Sequence, residues 1–472
     1  MSSNDKPTVL IVGAGLGGLM LGALLEKSNV PYTIFERAAM VKPLGSAMAV
    51  GPTLLPIFQQ MGIYDDIAAT GKYGCHIYSH RESLEPYRPQ DYSVMKEYTG
   101  YGRYIIARPD YYNIMLKQVP AHKVLFGHRV LNITEDDDKV TVHLSNNQTY
   151  KGDIIVGADG AYSAVRQRMY EQLKAKDLLP KEDQEDLPFS STSLVGQTKV
   201  LDPEEFPIVN KPHCQFLGFL GDDKPYTWCV MSTTQKTLCW MAIHHLSKKT
   251  SKEAMEQRFR NSENSGEWGA APAQTMCDET RNFPLQLGDG KKWTMGDLYD
   301  LTPKELISKV MLEEKVFKTW HHGRYVLMGD ACHKLSPSGG HGAVTAMHDA
   351  ITLANLIYVM PTKTSDDITR IFEEYKKERY PAVMASYKSS QIMAKAIENS
   401  IIGKLILFLM TRMPIWLWKL SLKKTIMYRP QVGFLPNIPL QGSVVPIVSP
   451  SEQKARALFE KQQQQDQQAA SI

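Results

Sequence analysis

Three glycines near the N-terminus have the spacing that brings a backbone close to a diphosphate group. Gly13, Gly15 and Gly18 lie between an apolar run that predicts a strand and an apolar-periodic stretch that predicts a helix over residues 16–27. Such a turn lets backbone N–H groups at a helix N-terminus receive a pyrophosphate. Glu36 ends the next predicted strand and is placed to accept hydrogen bonds from ribose hydroxyls. The pattern predicts a dinucleotide site without distinguishing NAD from FAD.

Two further turns carry an acid directly after a predicted strand. Asp159 lies in a Gly-Ala-Asp-Gly sequence, and Asp330 lies in a Gly-Asp-Ala sequence. The second turn continues into a Pro/Gly-rich loop, residues 337–342, and then into a helix that begins near Ala343. The positive end of that helix would stabilise negative charge on a ligand held beside the loop.

These two turns carry a family resemblance. Residues 157–166, with their Asp-Gly pair, and residues 312–333, with their Gly-Asp pair, resemble the group A flavoprotein monooxygenases. This is the p-hydroxybenzoate hydroxylase-like family, and the pattern is especially similar to that of fungal epoxidases of terpenoid and meroterpenoid biosynthesis. Matched motifs extend from residue 9 to about 350, with a weaker match at residues 428–436. The resemblance implies that the dinucleotide is FAD.

The resemblance also implies roles for individual residues. Asp330 would bond the ribityl chain, the loop 337–342 would lie against the flavin pyrimidine, and Ala343 would offer a backbone N–H near flavin N1 and O2. Arg108 resembles the flavin-contacting arginine of the family, and Ala49 falls where a second flavin-contacting turn is expected. The expected cofactor-binding residues are Gly13, Gly15, Gly18, Glu36, Ala49, Arg108, Asp159, Asp330, Gly342 and Ala343.

The chain departs from the family pattern within these motifs. Val344 replaces a frequent asparagine, His348 replaces a frequent glutamate, and Tyr111 replaces the usual leucine. Because valine cannot replace the hydrogen bond of asparagine, flavin affinity or redox tuning is expected to differ. His341 stands where glutamine is frequent, and it either acts on the flavin as a proton donor or anion stabiliser, or only fills the space of the glutamine. Arg108 either contacts flavin or forms a surface salt bridge.

The implied activity is a monooxygenase reaction. Reduced flavin and O2 would form a C4a-hydroperoxide that hydroxylates or epoxidises a lipophilic terpenoid, polyketide or aromatic molecule in secondary metabolism. NADPH or NADH would bind transiently as reductant, because the chain has one glycine fingerprint and no second dinucleotide-binding domain. Tyr226, Gln197 and His341 are candidate catalytic residues, with ordinary packing as the alternative. Two other classes share this architecture: an FAD-dependent oxidase or dehydrogenase, and a Rab-escort-like binding protein.

Composition narrows the remaining possibilities. The net charge of +4, from 54 basic and 50 acidic residues, is too balanced to indicate a nucleic-acid partner. The six cysteines are dispersed, and the N-terminus lacks the apolar run of a signal peptide, so we expect a reducing, cytoplasmic compartment rather than secretion. The adjacent histidine pairs have no third ligand at useful spacing, so no metal site is expected.

The order of predicted elements indicates an α/β fold: a Rossmann-like FAD-binding domain, an inserted antiparallel substrate sheet and a helical C-terminal region. The expected boundaries are residues 1–190 and 286–360 for the FAD-binding domain, 191–285 for the insertion, 361–460 for the helical region and 461–472 for a disordered glutamine-rich tail.

One apolar stretch in the helical region has two interpretations. Residues 405–422 are rich in leucine, isoleucine and tryptophan, but Lys404, Arg412 and Lys419 leave no uncharged span of the roughly 18 residues that a transmembrane helix requires. The stretch suits a helix lying in a membrane interface, with contact through residues 401–424 on the cytosolic face of an internal membrane. It equally suits a helical hairpin packed on the FAD domain.

Overall fold

A six-stranded sheet, here called the nucleotide sheet, forms the centre of the molecule. The computed structural model describes residues 6–40, 46–222, 224–246, 267–268, 270–288, 290–336, 340–397 and 401–470. In spatial order the strands of the nucleotide sheet are His321–His322, Tyr325–Leu327, Ile154–Gly157, Val9–Val12, Tyr32–Glu36 and Val124–Phe126. All neighbours are parallel except the first pair. The two central strands are buried on both faces, as expected for a parallel sheet covered by helices.

Helices cover this sheet in layers. The N-terminal helix, Leu16–Lys27, packs against Gly342–Tyr358, here called the core helix, which is almost wholly buried beyond its first turn. The core helix in turn contacts Ser365–Ile397 and Pro450–Ala470. The other described α-helices are Leu55–Met61, Tyr64–Thr70, Val94–Thr99, Arg108–Leu116, Ala164–Ala175, Lys181–Gln184, Pro207–Asn210, Ala270–Thr280, Met295–Asp300, Ile401–Thr411 and Ile415–Thr425.

An eight-stranded sheet, here called the large sheet, forms the second layer. In spatial order its strands are Glu267–Trp268, Ser308–Glu313, Phe189–Gln197, Leu238–His245, Tyr226–Ser232, Phe216–Leu220, His76–Arg81 and Gln90–Asp91. Only Phe216–Leu220 and His76–Arg81 are parallel neighbours. One face, here called the covered face, carries Trp228 and Trp240 in an apolar cluster with residues of Ala270–Thr280 and Met295–Asp300. The opposite face carries half-exposed side chains and is called the open face.

Smaller sheets connect these two layers. A three-stranded sheet of Ala47–Val50, Tyr104–Ala107 and Lys72–Tyr73, here called the small sheet, packs against the open face. Val130–Glu135, Val140–Leu144 and Thr149–Gly152 form a separate antiparallel sheet. Two short pairs complete the described strands: Pro284–Leu285 with Trp293–Thr294, and Lys315–Val316 with His333–Lys334. The predicted α/β fold class, with its Rossmann-like domain, antiparallel sheet and helical C-terminal region, is confirmed.

The large sheet extends beyond the expected insertion at residues 191–285. The strands His76–Arg81 and Gln90–Asp91 come from the region assigned by sequence to the first part of the FAD domain, and Ser308–Glu313 comes from the second part. The cause is long-range pairing: Ser308–Glu313 lies antiparallel to Phe189–Gln197, and His76–Arg81 lies parallel to Phe216–Leu220. The chain therefore enters this sheet before, within and after the expected insertion.

The C-terminal segment is helical where the sequence analysis expects disorder over residues 461–472. The helix Pro450–Ala470 runs through most of that segment, and residues 471–472 lie outside the described part of the chain. Glutamine and alanine are good helix formers, so a helix anchored at its start continues through them. Ser451 N–H donates to Glu378 Oε2 at 2.9 Å, and Tyr358 O–H donates to Gln462 Oε1 at 2.5 Å. These contacts supply the tertiary anchoring that composition does not display.

The apolar stretch forms two short helices. Within the described ranges, no single helix has the length and apolar character needed to cross a membrane. Ile401–Thr411 and Ile415–Thr425 meet that test only as a pair, and a bend of 97° separates them. They are called the exposed helix pair below.

Candidate functional site

The glycine turn after the first strand is shaped by close backbone packing. Gly13 has a φ of +106°, and a Cβ added there would lie 2.4 Å from the carbonyl oxygen of Ala158. A Cβ on Gly18 would lie 2.1 Å from the carbonyl oxygen of Gly13. A Cβ on Gly15 would meet no atom within 4 Å, and Gly15 is the N-cap of the N-terminal helix. Gly13 and Gly18 thus allow the packing, while Gly15 leaves space where a phosphate can approach the helix end.

Glu36 stands beside this turn at the end of its strand. Its Oε2 accepts a hydrogen bond from Ala14 N–H at 2.9 Å, and its Oε1 accepts one from Ala38 N–H at 2.9 Å. The carboxylate therefore fixes the glycine turn and keeps further lone pairs for the ribose hydroxyls expected from the sequence.

Asp159 lies beside the start of the helix that follows its strand, where Ser163 is the N-cap. Asp159 Oδ2 accepts a hydrogen bond from Ala164 N–H at 2.6 Å, while its Oδ1 is buried without a hydrogen-bond partner among the described residues. Burial raises the pKa of the Asp159 carboxyl. The structure also assigns a task to Arg166, for which sequence gave no role: its guanidinium donates to Ala331 O at 2.7 Å and to Ala161 O at 2.6 Å. Arg166 thereby ties the two acid-bearing turns together.

Asp330 is partly exposed and pairs with a lysine that the sequence analysis did not single out. Lys334 Nζ lies 2.7 Å from Asp330 Oδ2. The negative charge of Asp330 raises the pKa of Lys334, and the positive charge of nearby Arg108 acts in the opposite direction. In the sequence, Lys334 could have been found from its position four residues after Asp330 in the same motif. These three side chains form one charged group at the Gly-Asp turn.

A buried network supports the Gly-Asp turn from behind. Asp349 Oδ2 accepts a hydrogen bond from Gly329 N–H at 3.0 Å and lies 2.5 Å from His333 Nε2, while its Oδ1 accepts one from Arg379 Nε at 2.8 Å. Burial alone would raise the pKa of the Asp349 carboxyl, but the charges of His333 and Arg379 hold it at about 2. Cys332 brings a third ligand-type atom within 4.8 Å of His333 and Asp349. Because Arg379 already neutralises the carboxylate, this arrangement suits a hydrogen-bond network better than a cation site.

The start of the core helix lies next to the same turn. Its first residue is Gly342, where an added Cβ would meet no atom within 4 Å, and Ala343 is half-buried. Its N-cap, His341, forms no side-chain capping hydrogen bond, and burial lowers the pKa of the imidazole, which favours the neutral ring. The helix start therefore offers backbone N–H groups to a ligand. Of the expected flavin-facing loop 337–342, residues 337–339 lie outside the described part of the chain.

Two departures from the family pattern have packing explanations. His348 is buried, its Nε2 lies 3.0 Å from Thr53 O, and burial lowers the pKa of its imidazole to about 3. Tyr111 is buried and directs its hydroxyl at Met347 Sδ, 3.0 Å away, on the core helix. Both side chains join the core helix to its surroundings as neutral groups.

Arg108 and Ala49 lie on the small-sheet side of the site. Arg108 begins the helix Arg108–Leu116, its backbone N–H donates to Ser46 O at 3.0 Å, and its exposed side chain forms no ion pair with any described residue. Ala49 pairs with Ile105 in the small sheet and packs in the apolar cluster against the open face. The surface salt bridge considered for Arg108 is thus absent from the described ranges, and its charge lies beside Lys334 instead.

The candidate catalytic residues of the large sheet fall on opposite faces. Tyr226 lies on the covered face, donates to Glu279 Oε2 at 3.1 Å and stacks on His244 at 4.3 Å. Gln197 pairs with Cys239 on the open face and donates to Thr237 Oγ1 at 2.9 Å. Alternation along the strand turns the Tyr226 side chain away from the open face, so its position favours ordinary packing, the alternative considered for this residue.

The open face is lined by apolar and small side chains. Strand pairing puts Phe216, Gly218, Cys229 and Met241 on this face, and all four are half-exposed. The intervening residues Leu217, Trp228 and Val230 are buried on the covered face. The half-exposed side chains form an apolar wall on the side of the small sheet. Alternation in the sequence alone could not show which face of the strands points this way.

Comparison with known proteins gives a family match over most of the chain. The family model described as FAD binding domain matches residues 6–281 and 294–390. FAD-dependent monooxygenase ptmM of Penicillium ochrochloron is 27% identical over 422 residues, which cover 85% of this chain and 93% of that protein. FAD-dependent monooxygenase paxM of Penicillium paxilli is 26% identical over 413 residues, which cover 82% and 78% of the two chains.

Solved structures share the fold. HpxO of Klebsiella pneumoniae, complexed with FAD and uric acid, aligns with a TM-score of 0.68 at 18% identity and covers 89% of this chain and 97% of its own. CtdE, complexed with FAD and a substrate, aligns with a TM-score of 0.64 at 16% identity and covers 89% and 98%. At these low sequence identities, the similarity shows a shared fold.

Proposed function

Since the chain belongs to the FAD-binding domain family and is an FAD-dependent monooxygenase, we propose that it oxygenates a lipophilic small molecule with electrons from NADPH or NADH. FAD is its cofactor, and the family resemblance expected from the motifs is confirmed. When bound and reduced, the flavin supplies an electrophilic oxygen atom derived from O2. In the balanced reaction, substrate, O2, NAD(P)H and a proton give hydroxylated or epoxidised product, NAD(P)+ and water.

The observation that carries this proposal is that the glycine turn, the two acid-bearing turns and the start of the core helix lie next to one another at one edge of the nucleotide sheet. In our assignment, Gly13, Gly15, Gly18 and the helix after them hold the pyrophosphate, and Glu36 accepts from ribose. Asp330 and Arg108 bind the ribityl side, with Asp159 and Ala49 shaping the walls. Gly342 and Ala343 direct backbone N–H groups at the pyrimidine edge, where reduction builds up negative charge.

The open face supports a lipophilic substrate. Its apolar wall would hold a hydrocarbon skeleton and exclude water near the site of oxygen transfer. Of the candidate catalytic residues, we keep Gln197, which lies on the open face, for contact with substrate, and His341, a neutral imidazole at the start of the core helix, for contact with flavin. We assign the residues around the nucleotide sheet within 1–190 and 286–360 to cofactor binding and the large sheet to substrate binding.

Isotope labelling tests this reaction. Purified holoprotein is supplied with NADPH and a panel of terpenoid and aromatic compounds under 18O2, and products are analysed by mass spectrometry. The proposal expects a product that gains one 18O atom, with NADPH consumption that depends on the substrate. A dehydrogenated product without 18O would instead identify an oxidase if H2O2 forms in equal amount, or a dehydrogenase if another electron acceptor is required.

We also propose that the exposed helix pair rests on a membrane surface, through residues 401–424. Ile401, Trp416 and other apolar side chains of the pair point to solvent, and Trp416 is 68% exposed. Residues 401–425 contain five basic side chains and no acidic one. One edge is anchored to the protein, because Trp418 Nε1 donates to Asp91 O at 2.7 Å and Leu422 is buried. An apolar surface flanked by cations matches an interface rich in anionic lipid.

Vesicle sedimentation tests this contact. The intact chain should bind phosphatidylcholine vesicles more strongly when they contain phosphatidylserine, and the double substitution Ile415→Ser with Trp416→Ser should reduce that binding at least fivefold. Leu131→Ser is the matched control, because Leu131 is a similarly exposed apolar residue outside the pair. Absence of binding by the unmodified protein, or unchanged binding by the double variant, would contradict the proposed membrane contact.

A further inference from the structure

Arg103 is a shielded cation without an anionic partner. It precedes the strand Tyr104–Ala107 of the small sheet. Its guanidinium carbon lies 4.8 Å from the ring centroid of Tyr92 and 5.8 Å from that of Phe216. Its Nη1 is closed off from solvent and has no hydrogen-bond partner, and in the described ranges the side chain forms no ion pair. Arg103 is therefore held between two aromatic rings, with its Nη1 buried and unpaired among the described residues.

The strand direction places this cation at the open face of the large sheet. Alternation along the strand puts residue 103 on the same side as Ile105 and Ala107, which pack in the apolar cluster between the two sheets. Phe216, which stacks near the guanidinium, belongs to that cluster and to the open face. Arg103 thus stands at one end of the apolar wall assigned above to substrate.

A second cation, Lys72, lies near Arg103, and neither side chain forms an ion pair with a described residue. Burial raises the pKa of the Cys214 thiol to about 11, and both Arg103 and Lys72 act against that rise, which places the two cations near the same sulfur. Lys72 Nζ donates to Val209 O at 2.7 Å and makes no ion pair with a described residue. Of the two acids in this region, Asp91 faces His76 at 3.5 Å, and Asp110 lies near Cys239. Withdrawing a guanidinium from water without a counter-charge is unfavourable, so the arrangement is suited to an anion that arrives with a ligand.

We propose that Arg103 binds a carboxylate on the substrate and so selects lipophilic acids over their neutral esters. The planar fork of a guanidinium matches a carboxylate with two parallel hydrogen bonds, and stacking on Tyr92 and Phe216 fixes the plane of that fork. The hydrocarbon part then lies along Gly218, Cys229 and Met241. This inference rests on the proposed function, because it names the substrate class of the same site.

The test compares an acid with its own ester on the FAD-loaded protein. Farnesoic acid and methyl farnesoate differ only in the charged group, and equilibrium dialysis measures the Kd of each without requiring turnover. Unmodified protein should bind the acid at least tenfold more tightly than the ester. Arg103→Gln should weaken binding of the acid at least tenfold and change binding of the ester by less than twofold. Arg103→Lys should lie between, because it keeps the charge and loses the fork.

Arg129→Gln is the matched control, since Arg129 is an exposed arginine far from the open face, and it should bind both ligands as the unmodified protein does. FAD content and Tm are recorded for every variant. Equal binding of the two ligands, or binding of neither, by the unmodified protein would overturn the assignment. So would an equal loss for acid and ester in Arg103→Gln. Failure of the proposed function would be detected by different measurements, as protein that lacks FAD or as product that contains no 18O.

Discussion

Substitution of Gly15 should affect FAD binding, whereas substitution of Gly18 should affect folding stability. A Cβ at Gly15 enters open space, and its φ of −71° is one that any residue adopts, whereas a Cβ at Gly18 overlaps a backbone oxygen. We expect Gly15→Val to weaken FAD binding at least 100-fold, about 2.7 kcal/mol, with little change in the stability of the apoprotein. Gly18→Val should lower the unfolding free energy by more than about 4 kcal/mol. FAD titration and urea unfolding separate the two effects, and Gly15→Val protein that binds FAD normally would contradict the phosphate assignment.

Asp349 should make stability depend on acid pH. Its folded-state pKa of about 2 lies below the unfolded value of ~3.9, so its contribution is present above pH ~4 and is lost as pH falls through about 2. Asp349→Asn leaves Arg379 buried without its counter-charge and should cost about 3–5 kcal/mol at pH 7.

Urea unfolding at several pH values checks this expectation. The difference between unmodified protein and Asp349→Asn should narrow as pH falls from 4 towards 2, while the exposed control Asp466→Asn should follow the unmodified protein throughout. A difference that stays constant with pH would show that the carboxylate charge is not what stabilises the turn.

Local spacing located some of these residues and missed others. The glycine turn, Glu36 and the Gly-Asp turn are recognisable because each needs residue types only a few positions apart. Asp349 and Arg379 are 30 residues apart, and Arg166 reaches Ala331 across 165 residues, so their partnership is visible only in the folded chain. Arg103 was missed for the same reason, because its two aromatic neighbours come from separate segments.

At the scale of elements, the two faces of the large sheet should respond differently to mutation. The Tyr226 hydroxyl lies on the covered face and bonds an exposed glutamate, so Tyr226→Phe should cost about 0.5–1.5 kcal/mol of stability or less and leave kcat/KM within twofold. Met241→Ala, on the open face, should raise KM several-fold. Steady-state kinetics on a product-forming substrate checks both, and a large loss of kcat in Tyr226→Phe would contradict the orientation of the strand.

Element types were more predictable than element partners. The strands and helices of the nucleotide sheet follow from apolar runs and periodicity, because both faces of that sheet are buried. The strand His76–Arg81 has no comparable pattern, and its place in the large sheet is set by pairing with residues 139 positions later. The glutamine-rich end was expected to be disordered because composition does not reveal the anchors on Tyr358 and Glu378.

For the whole molecule, FAD binding should stabilise both sheets together. Strands of the large sheet come from before and after the segment that forms most of it, so several chain connections join the two layers, and an apolar cluster joins the large sheet to the small sheet. FAD at 100 times its Kd should add about 2.7 kcal/mol and raise Tm by on the order of 2–5 °C in one transition. Differential scanning calorimetry checks this, and a transition that FAD leaves unmoved would contradict the coupling.

The central claim is that this chain holds one FAD where its glycine turn, its Gly-Asp turn and the start of the core helix meet. The most direct measurement is the flavin released by denaturing purified protein, identified by chromatography and divided by the protein concentration. We predict one FAD per chain for the unmodified protein and almost none for Gly15→Val. A folded, colourless protein that takes up no added FAD would contradict the account.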